Sequence, residues 1–146
     1  FDMSRPGVAA QALGIGQGAL ELAAKYTRQR KQFDKPISSF QGLQWRIADR
    51  ATELEAARAL VYACARAVDA GEKSVGAASA MAKLFASDVA FKVCDMALQI
   101  HGGYGYMKDY PIEKYLRDAK ITQIYEGTNQ IQRNIIGLET IKELGK

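Results

Sequence analysis

Residues 8–26, VAAQALGIGQGALELAAKY, predict a helix because their apolar residues recur at alternating intervals of four and three. This spacing places one stripe on a single helix face and does not fit the two-residue alternation of a strand. The stripe consists of Val8, Ala12, Ile15, Ala19, Leu22 and Tyr26. Ser4 is placed to cap the start, and Pro6 falls in the first turn, where its missing N–H costs little. We expect the helix to end near Phe33, because Asp34-Lys35-Pro36 leaves helical geometry.

The same periodicity predicts two further long helices. One begins at Ser38 or Ser39 and ends at Ala70-Gly71. The next is capped by Ser74 and ends at the Gly102-Gly103 pair, where a glycine can close a helix in the left-handed conformation. Its predicted inward residues are Ala78, Ala82, Phe85, Val89, Val93, Met96 and Ile100. Three helices of this length are expected to pack side by side.

The last third of the chain predicts one short helix and one longer helix. The short helix begins at Pro111 and frays near residues 125–127, and Thr128 is placed to cap the last helix. The predicted inward face of that helix consists of Ile131, Ile135, Leu138 and Ile141. Because no segment alternates like a strand and the connections are short, the sequence predicts an all-α fold, an antiparallel up-down four-helix bundle with an extra short helix.

Composition and charge limit the classes of function. The 146 residues, with 48% hydrophobic and 25% charged residues, are typical of one globular domain. The formal net charge of +4 is scattered, which disfavours nucleic-acid binding, although the basic run at 28–31 is a candidate anion site. Cys64 and Cys94 lack the spacing of metal ligands, so we expect buried, reduced thiols and no metal. No apolar run is long enough to span a bilayer, so we expect a soluble protein without a membrane partner.

Two features that look functional have simpler interpretations. Residues 14–18, GIGQG, resemble a dinucleotide-binding fingerprint, but they lie within a predicted helix instead of at a strand-to-helix turn. We interpret them as small residues that allow close helix packing. His101 is the only histidine, which leaves no Ser-His or Cys-His pair. We interpret it as the partner of a local carbonyl group or as a wall residue.

Two other stretches carry candidate chemistry. Residues 28–33, RQRKQF, place paired cations and an aromatic ring at a helix end. Residues 125–130, YEGTNQ, place the carboxylate of Glu126 between an aromatic residue and a glycine at a helix start. A carboxylate in that position is a candidate general base, and it is equally a candidate for an ordinary N-terminal cap.

Ordered motifs across the chain resemble the C-terminal helical domain of the acyl-CoA dehydrogenases. They are RKQF at 30–33, PI at 36–37 with FQ at 40–41, QIHGGYGY at 99–106, RDAKI at 117–121 and IYEGTNQIQR at 124–133. The resemblance covers essentially the whole chain. It implies that residues 1–146 form this one domain, without the amino-terminal helical and central β domains of the family. It also implies a flavoenzyme that oxidises an acyl-CoA thioester to the trans-2-enoyl-CoA with FAD as cofactor.

The resemblance implies a role for individual residues. Glu126 is the implied catalytic base, which removes the α-proton while the β-hydrogen leaves as hydride to FAD. The implied substrate-side residues are Asp2, Met3, Ser4, Arg5 and Gly127. The implied FAD-binding residues, in part for the FAD of a neighbouring subunit, are Arg30, Lys31, Gln32, Phe33, Phe40, Gln41, Gln99, Ile100, His101, Gly102, Gly103, Thr128, Asn129 and Gln130. Ser4 favours the short- or medium-chain type, because isovaleryl and long-chain relatives place their catalytic glutamate there.

The resemblance further implies partners and a location. These are an acyl-CoA substrate, electron-transferring flavoprotein as electron acceptor, a homodimer or homotetramer, and a bacterial cytoplasm or mitochondrial matrix. The domain by itself is expected to be inactive, because much of the family's pocket lies in the other two domains. Asp34 stands where the family commonly has glycine, and its charge would weaken a phosphate site at Arg30. The alternative function is a non-catalytic helical oligomerisation or binding module.

Overall fold

The computed structural model describes residues 3–146 and confirms the predicted all-α class. The described residues form the helices α1 (Arg5–Gln29), α2 (Gln41–Asp69), α3 (Gly76–His101), α4 (Ile112–Thr122) and α5 (Asn129–Leu144). Two-residue strands β1 (Lys31–Gln32) and β2 (Lys35–Pro36) follow α1, and 3₁₀ turns cover Ile37–Ser39 and Gly102–Tyr106. None of the helices in the described part of the chain combines the length and apolarity that crossing a membrane requires.

Helix α3 lies at the centre of the bundle and packs against α1, α2, α4 and α5. It buries more than half of its residues, as expected for a central helix that is mostly small and apolar, whereas one strip that includes Phe85, Lys92 and Gln99 is exposed. Of its predicted inward residues, Phe85 is the exception, because its side chain is 38% exposed. Cys64 and Cys94 are both buried free thiols, as predicted, and burial raises the pKa of Cys94 to about 12.

Glycines on α1 allow the close packing that the sequence predicted. A Cβ added at Gly16 would lie 2.9 Å from Leu54 Cδ2 and 3.3 Å from Ala90 Cα. One added at Gly18 would lie 2.9 Å from Tyr115 Cε1. These two positions therefore let α2, α3 and α4 approach α1 directly. Gly14 differs, because its added Cβ would meet open space.

Helix α1 ends at Gln29, before the predicted end at Phe33, because a small hairpin follows it. The antiparallel strands pair Lys31 with Pro36 and Gln32 with Lys35. Phe33 and Asp34 form the turn, with φ values of +52° and +60°. Asp34 suits this turn because a short polar side chain tolerates the left-handed region. These strands of two residues each are too short to show an alternating pattern, so the sequence did not predict the hairpin.

The predicted helix caps agree with the structure less well than the predicted helices themselves. Ser4 stands at the N-cap position of α1 but makes no capping hydrogen bond. The predicted cap at Ser74 is wrong, because α3 begins after Val75, again without a side-chain cap. Thr128 does cap α5, where its hydroxyl oxygen accepts a hydrogen bond from the backbone N–H of Ile131 at 3.4 Å. Two of these three predicted caps thus lack the expected bond.

The orientation of α5 differs from the prediction. Leu138 and Ile141 of the predicted inward face are 69% and 71% exposed, and Ile131 is 47% exposed. The buried residues of α5 are instead Asn129 and Gln132, which face α3. The helical period was correct, but polar side chains near the start of α5 anchor it to the bundle. Its apolar stripe consequently faces outward.

Candidate active site

A loop between α4 and α5 carries Glu126 in an unusual backbone conformation. Glu126 has a φ of +54° and Gly127 a φ of +88°, so two successive residues lie in the left-handed region. This region costs a side-chain-bearing residue about 1–2 kcal/mol, so contacts around the loop must hold Glu126 there. A Cβ added at Gly127 would lie 2.7 Å from Gln132 Nε2, which explains why glycine occupies this position.

The outer side of the loop is attached to the beginning of α1. The Ser4 hydroxyl donates a hydrogen bond of 2.8 Å to Glu126 Oε2, joining residues that are 122 positions apart. The Tyr125 hydroxyl donates to the side-chain oxygen of Gln11 on α1. Because Thr128 caps α5, the carboxylate of Glu126 is directed to Ser4 and does not act as the cap that the sequence left open. Glu126 is half-buried.

The other predicted substrate-side residues differ in how deeply they are buried near Glu126. Arg5 is buried, with 6% of its surface exposed, whereas Met3 is 70% exposed. Asp2 lies outside the described residues. Gly127 adjoins Glu126 in the loop. The structure therefore brings Ser4 together with Glu126 and places Arg5 in the neighbouring interior.

The inner side of the loop is held by two residues that the sequence analysis missed. Gln132 Nε2 donates to the backbone carbonyl oxygens of Glu126 at 3.2 Å and Gly127 at 3.0 Å. Lys83 Nζ donates to the Gly127 carbonyl at 2.9 Å and to Asn129 Oδ1 at 2.8 Å. Both side chains are 0% exposed. The available signal was a lysine inside the small, apolar run AMAKLFA at 80–86.

Asn129 extends this attachment to α3. Its Nδ2 donates to Ser87 Oγ at 2.8 Å and to Asp88 Oδ1 at 2.7 Å. Asp88 also accepts from Gln123 Nε2 at 2.8 Å and pairs with Arg133 at 3.0 Å. Asn129 is 4% exposed, so its side chain is turned into the protein. A cofactor contact by Asn129 stays a prediction, as do those of Thr128 and the exposed Gln130.

The charge of Lys83 is perturbed by its surroundings. Burial disfavours the ammonium form and lowers the pKa of Lys83 to about 8 from 10.5. Asp88 and Glu126 act in the opposite direction by attraction, and the nearby positive charge of Arg5 adds to the lowering. Buried, unpaired ammonium groups are rare in proteins because leaving water is costly. The two hydrogen bonds of Lys83 and the attraction of two carboxylates offset that cost.

A cleft gathers six of the predicted cofactor residues. Its volume is about 570 Å³, and its lining includes Arg30, Gln32, Ile100, His101, Gly102 and Gly103, with Tyr26 and Tyr104 among the other wall residues. The Arg30 guanidinium lies 6.0 Å from the centroid of the Tyr104 ring. His101 stacks on Tyr26 at 4.2 Å, and its Nδ1 lies 2.7 Å from the Ala97 carbonyl oxygen. His101 is therefore both a wall residue and a carbonyl partner, as predicted.

The other predicted cofactor residues from the hairpin, the start of α2 and the end of α3 do not line this cleft. Lys31 and Phe33 are exposed on the hairpin, and the Phe33 ring meets the Phe40 ring edge-on at 6.3 Å. Gln41 is exposed at the first residue of α2. Gln99 lies in a separate groove, with Arg46 and Lys92 among its lining. The structure thus separates Gln99 from its predicted neighbours.

The cleft and Glu126 lie at opposite ends of the bundle. Ser4 precedes the first residue of α1 and Arg30 follows its last, and the 25 residues between them span about 37 Å. Contacts of α3 agree with this arrangement, because Lys83 reaches the Glu126 loop whereas His101 lines the cleft. The cleft and the Glu126 loop are therefore two separate regions of this chain.

Together these features define a helical domain with a carboxylate loop at one end and an aromatic, guanidinium-containing cleft at the other. Residues 1–140 match the family described as "Acyl-CoA dehydrogenase, C-terminal domain". The chain therefore belongs to the acyl-CoA dehydrogenase family, whose members are FAD-dependent flavoprotein oxidoreductases.

Individual relatives agree with this membership. The chain is 53% identical over 143 residues to cyclohexane-1-carbonyl-CoA dehydrogenase of Geobacter metallireducens, covering 98% of this chain and 37% of that protein. It is 57% identical over 142 residues to acryloyl-CoA reductase (NADH) of Anaerotignum propionicum, covering 97% and 36%. The solved butyryl-CoA dehydrogenase from Megasphaera elsdenii superposes with a TM-score of 0.93 at 48% identity, covering 96% and 36%. The chain spans about a third of the length of these relatives.

Proposed function

We propose that this chain is the C-terminal domain of a flavin-dependent acyl-CoA dehydrogenase that converts an acyl-CoA thioester to the trans-2-enoyl-CoA. The proposal depends on one observation above all. Glu126 is a half-buried carboxylate, held in a left-handed loop conformation and hydrogen-bonded to Ser4 at the start of α1. Strained backbone of this kind is concentrated at functional sites. Family membership supports the same reaction class.

The proposed role of Glu126 is removal of the α-proton. A proton next to a thioester carbonyl is weakly acidic, so the base must be positioned at it and the developing enolate oxygen must receive hydrogen bonds. We assign the backbone N–H of Glu126 as one such donor. Ser4 Oγ, at 2.8 Å from Glu126 Oε2, orients the carboxylate before substrate arrives. FAD, when bound, supplies the acceptor for the β-hydrogen, which leaves as hydride.

The cleft at the other end of the bundle is the proposed contact for FAD. The residues present fit a phosphate-bearing cofactor, because the forked donors of Arg30 suit phosphate oxygens and Gly102 leaves the backbone accessible. Since the cleft lies about 37 Å from the Glu126 end of α1, it serves the active site of a neighbouring copy. The proposed enzyme is accordingly a homodimer or homotetramer. From the family resemblance we also propose electron-transferring flavoprotein as its electron acceptor and a bacterial cytoplasm or the mitochondrial matrix as its location.

The test is Glu126→Gln in the intact gene product that carries this chain, compared with Glu143→Gln, an exposed carboxylate near the end of α5. With butyryl-CoA and a dye acceptor, we expect Glu126→Gln to lower kcat by about 10²–10⁴-fold, the range of a lost general base. Glu143→Gln should leave kcat unchanged. A Glu126→Gln enzyme as fast as the wild type would remove Glu126 from the reaction.

The fragment alone is proposed to be inactive with butyryl-CoA or octanoyl-CoA, because the family places much of the pocket in the other two domains. Turnover by the isolated chain would contradict that proposal.

A second function, non-catalytic self-association, is favoured by one observation. Leu138, Ile141 and Leu144 on α5 are 69%, 71% and 80% exposed, and such an apolar stripe is typical of a surface that another chain covers. The flavin absorption spectrum distinguishes the two functions. An enzyme subunit in its complete assembly retains FAD, whereas a purely structural module has no flavin band with or without added FAD.

A further inference from the structure

Lys83 is the most deeply buried charged side chain among the described residues, and no part of the proposed chemistry uses it directly. Its side chain is 0% exposed on α3, the most buried helix of the bundle. Both of its described hydrogen bonds are directed at the Glu126 loop, 44 and 46 positions further along the chain. A lysine that served only to fill the core would be replaced at lower cost by an apolar residue, because burial penalises the ammonium group.

We infer that Lys83 is a positioning residue that holds the Glu126 loop in its left-handed conformation. This inference rests on the proposed role of Glu126 as the base. Lys83 acts through the backbone, because its Nζ donates to the carbonyl oxygen of Gly127, the residue that follows Glu126. Its second acceptor, Asn129 Oδ1, belongs to the first residue of α5. One ammonium group therefore ties both sides of the turn to α3.

The geometry explains why a cation is suited to this position. Successive left-handed residues turn the carbonyl groups of Glu126 and Gly127 inward, where a buried carbonyl needs a donor. Gln132 supplies one donor nitrogen for both carbonyls, and Lys83 supplies a second one for Gly127. Hydrogen bonds from a charged donor are stronger than neutral ones. Lys83 is also attracted to the Glu126 carboxylate, which favours the charged form of Lys83.

Asn129 makes the attachment rigid. Its amide oxygen accepts from Lys83, while its amide nitrogen donates to Ser87 and Asp88 on the same face of α3. Lys83, Ser87 and Asp88 lie within six residues on α3, so this helix presents one continuous surface to the loop. Removing Lys83 leaves the α5 side held by Asn129 and leaves the Gly127 carbonyl with the hydrogen bond from Gln132 alone among the described contacts. The expected displacement is therefore at Glu126 and Gly127.

The experiment is Lys83→Met in the intact gene product, with Lys25→Met, an exposed lysine on α1, as the matched control. With butyryl-CoA and a dye acceptor, we expect Lys83→Met to lower kcat by about 10²-fold, because a small misplacement of a catalytic group has an effect of that size. KM should change little, since binding of the substrate does not involve Lys83. Lys25→Met should match the wild type.

Two further readouts separate positioning from a general loss of structure. Amide hydrogen exchange of residues 123–133 should be faster in Lys83→Met, while exchange in α1 and α2 stays at wild-type rates. In a Glu126→Gln background, Lys83→Met should reduce kcat no further, because Lys83 acts through Glu126. An equal reduction in both backgrounds, or unchanged kcat with unchanged loop exchange, would overturn the inference.

A failure of the proposed function is recognised separately, because the Glu126→Gln single variant reports on it and the loop exchange does not depend on it. If Lys83→Met does not fold, Lys83→Gln provides the test. Glutamine keeps a donor and loses the charge, so we expect kcat to fall by about tenfold with faster loop exchange. A folded Lys83→Gln enzyme with wild-type kcat and wild-type exchange also overturns the inference.

Discussion

Replacing Gly127 with alanine is expected to destabilise the protein and to displace the loop that carries Glu126. At a φ of +88°, an L side chain is strained by about 1 kcal/mol. The added Cβ would lie 2.7 Å from Gln132 Nε2, so Gln132 must move away. Its hydrogen bonds to the carbonyls of Glu126 and Gly127 are then lost, at about 1 kcal/mol each. We expect the free energy of unfolding to fall by about 2–4 kcal/mol.

Gly137→Ala is the matched control, because Gly137 also lies on α5 but an added Cβ there would meet nothing within 4 Å. Alanine is favoured over glycine within a helix by about 1 kcal/mol, so this variant should be as stable as the wild type or more stable. Urea unfolding followed by circular dichroism measures both variants. The reasoning would be refuted by a Gly127→Ala protein that unfolds at the wild-type urea concentration, or by a Gly137→Ala protein that is equally destabilised.

Two further predictions concern packing and pH. Gly16→Ala should destabilise the bundle by about 1–3 kcal/mol, because the new Cβ would lie 2.9 Å from Leu54 Cδ2 and 3.3 Å from Ala90 Cα. Gly14→Ala should not destabilise the bundle, because its added Cβ would meet open space. Thermal unfolding measures both variants, and a lower unfolding temperature for Gly14→Ala than for Gly16→Ala would contradict the packing argument. The second prediction compares the wild type with Lys83→Met as the pH rises. Because the pKa of Lys83 is about 8 in the fold and 10.5 ordinarily, the unfolded state binds more protons between those values. The stability of the wild type relative to the variant should therefore rise with pH across that interval, by at most about 3 kcal/mol, and stay level below it. The charged groups facing Lys83 are Asp88 on α3, Arg5 on α1 and Glu126 in the loop. Urea unfolding of both proteins at several pH values measures the difference in stability. A difference between wild type and Lys83→Met that fell as the pH rose would contradict the burial of the ammonium group.

The helices could be predicted because their signal is local. The apolar stripe of α1 repeats over about five turns, so no tertiary information is needed to recognise it. The packing roles of Gly16 and Gly18 followed from their place on that helix. The hairpin after α1 could not be predicted in this way. Its strands have two residues each, and its turn places Phe33 in a left-handed conformation that a phenylalanine rarely adopts.

The orientation of α5 shows the limit of periodicity. An apolar stripe defines one face of a helix but does not say whether that face meets the core or another chain. In α5 the buried positions are Asn129 and Gln132, whose hydrogen bonds to α3 and to the loop outweigh burial of Leu138 and Ile141 within this chain. Such polar contacts join residues more than forty positions apart, or a side chain to a particular loop conformation. Neither relationship is visible in the sequence.

The candidate site likewise contains residues that sequence motifs indicate and residues that only the folded structure reveals. Glu126 and the cleft residues could be proposed as site residues from the sequence because they belong to recognisable motifs with a fixed order. Lys83 could not, since its importance depends on its distance from the Gly127 carbonyl, which only the folded chain defines. Gln99 lies in a motif with His101, yet a rotation of the helix between them turns its side chain into a different groove. Sequence order therefore places residues in a region but does not decide which of them share a surface.

The most direct test of the role of Glu126 is exchange of the α-hydrogens of butyryl-CoA in D₂O, with no electron acceptor present. The intact gene product should incorporate deuterium at the carbon next to the thioester carbonyl, as measured by mass spectrometry. The Glu126→Gln variant should do so at least about 10²-fold more slowly. Equal rates of deuterium incorporation in the two proteins would show that another group removes the proton.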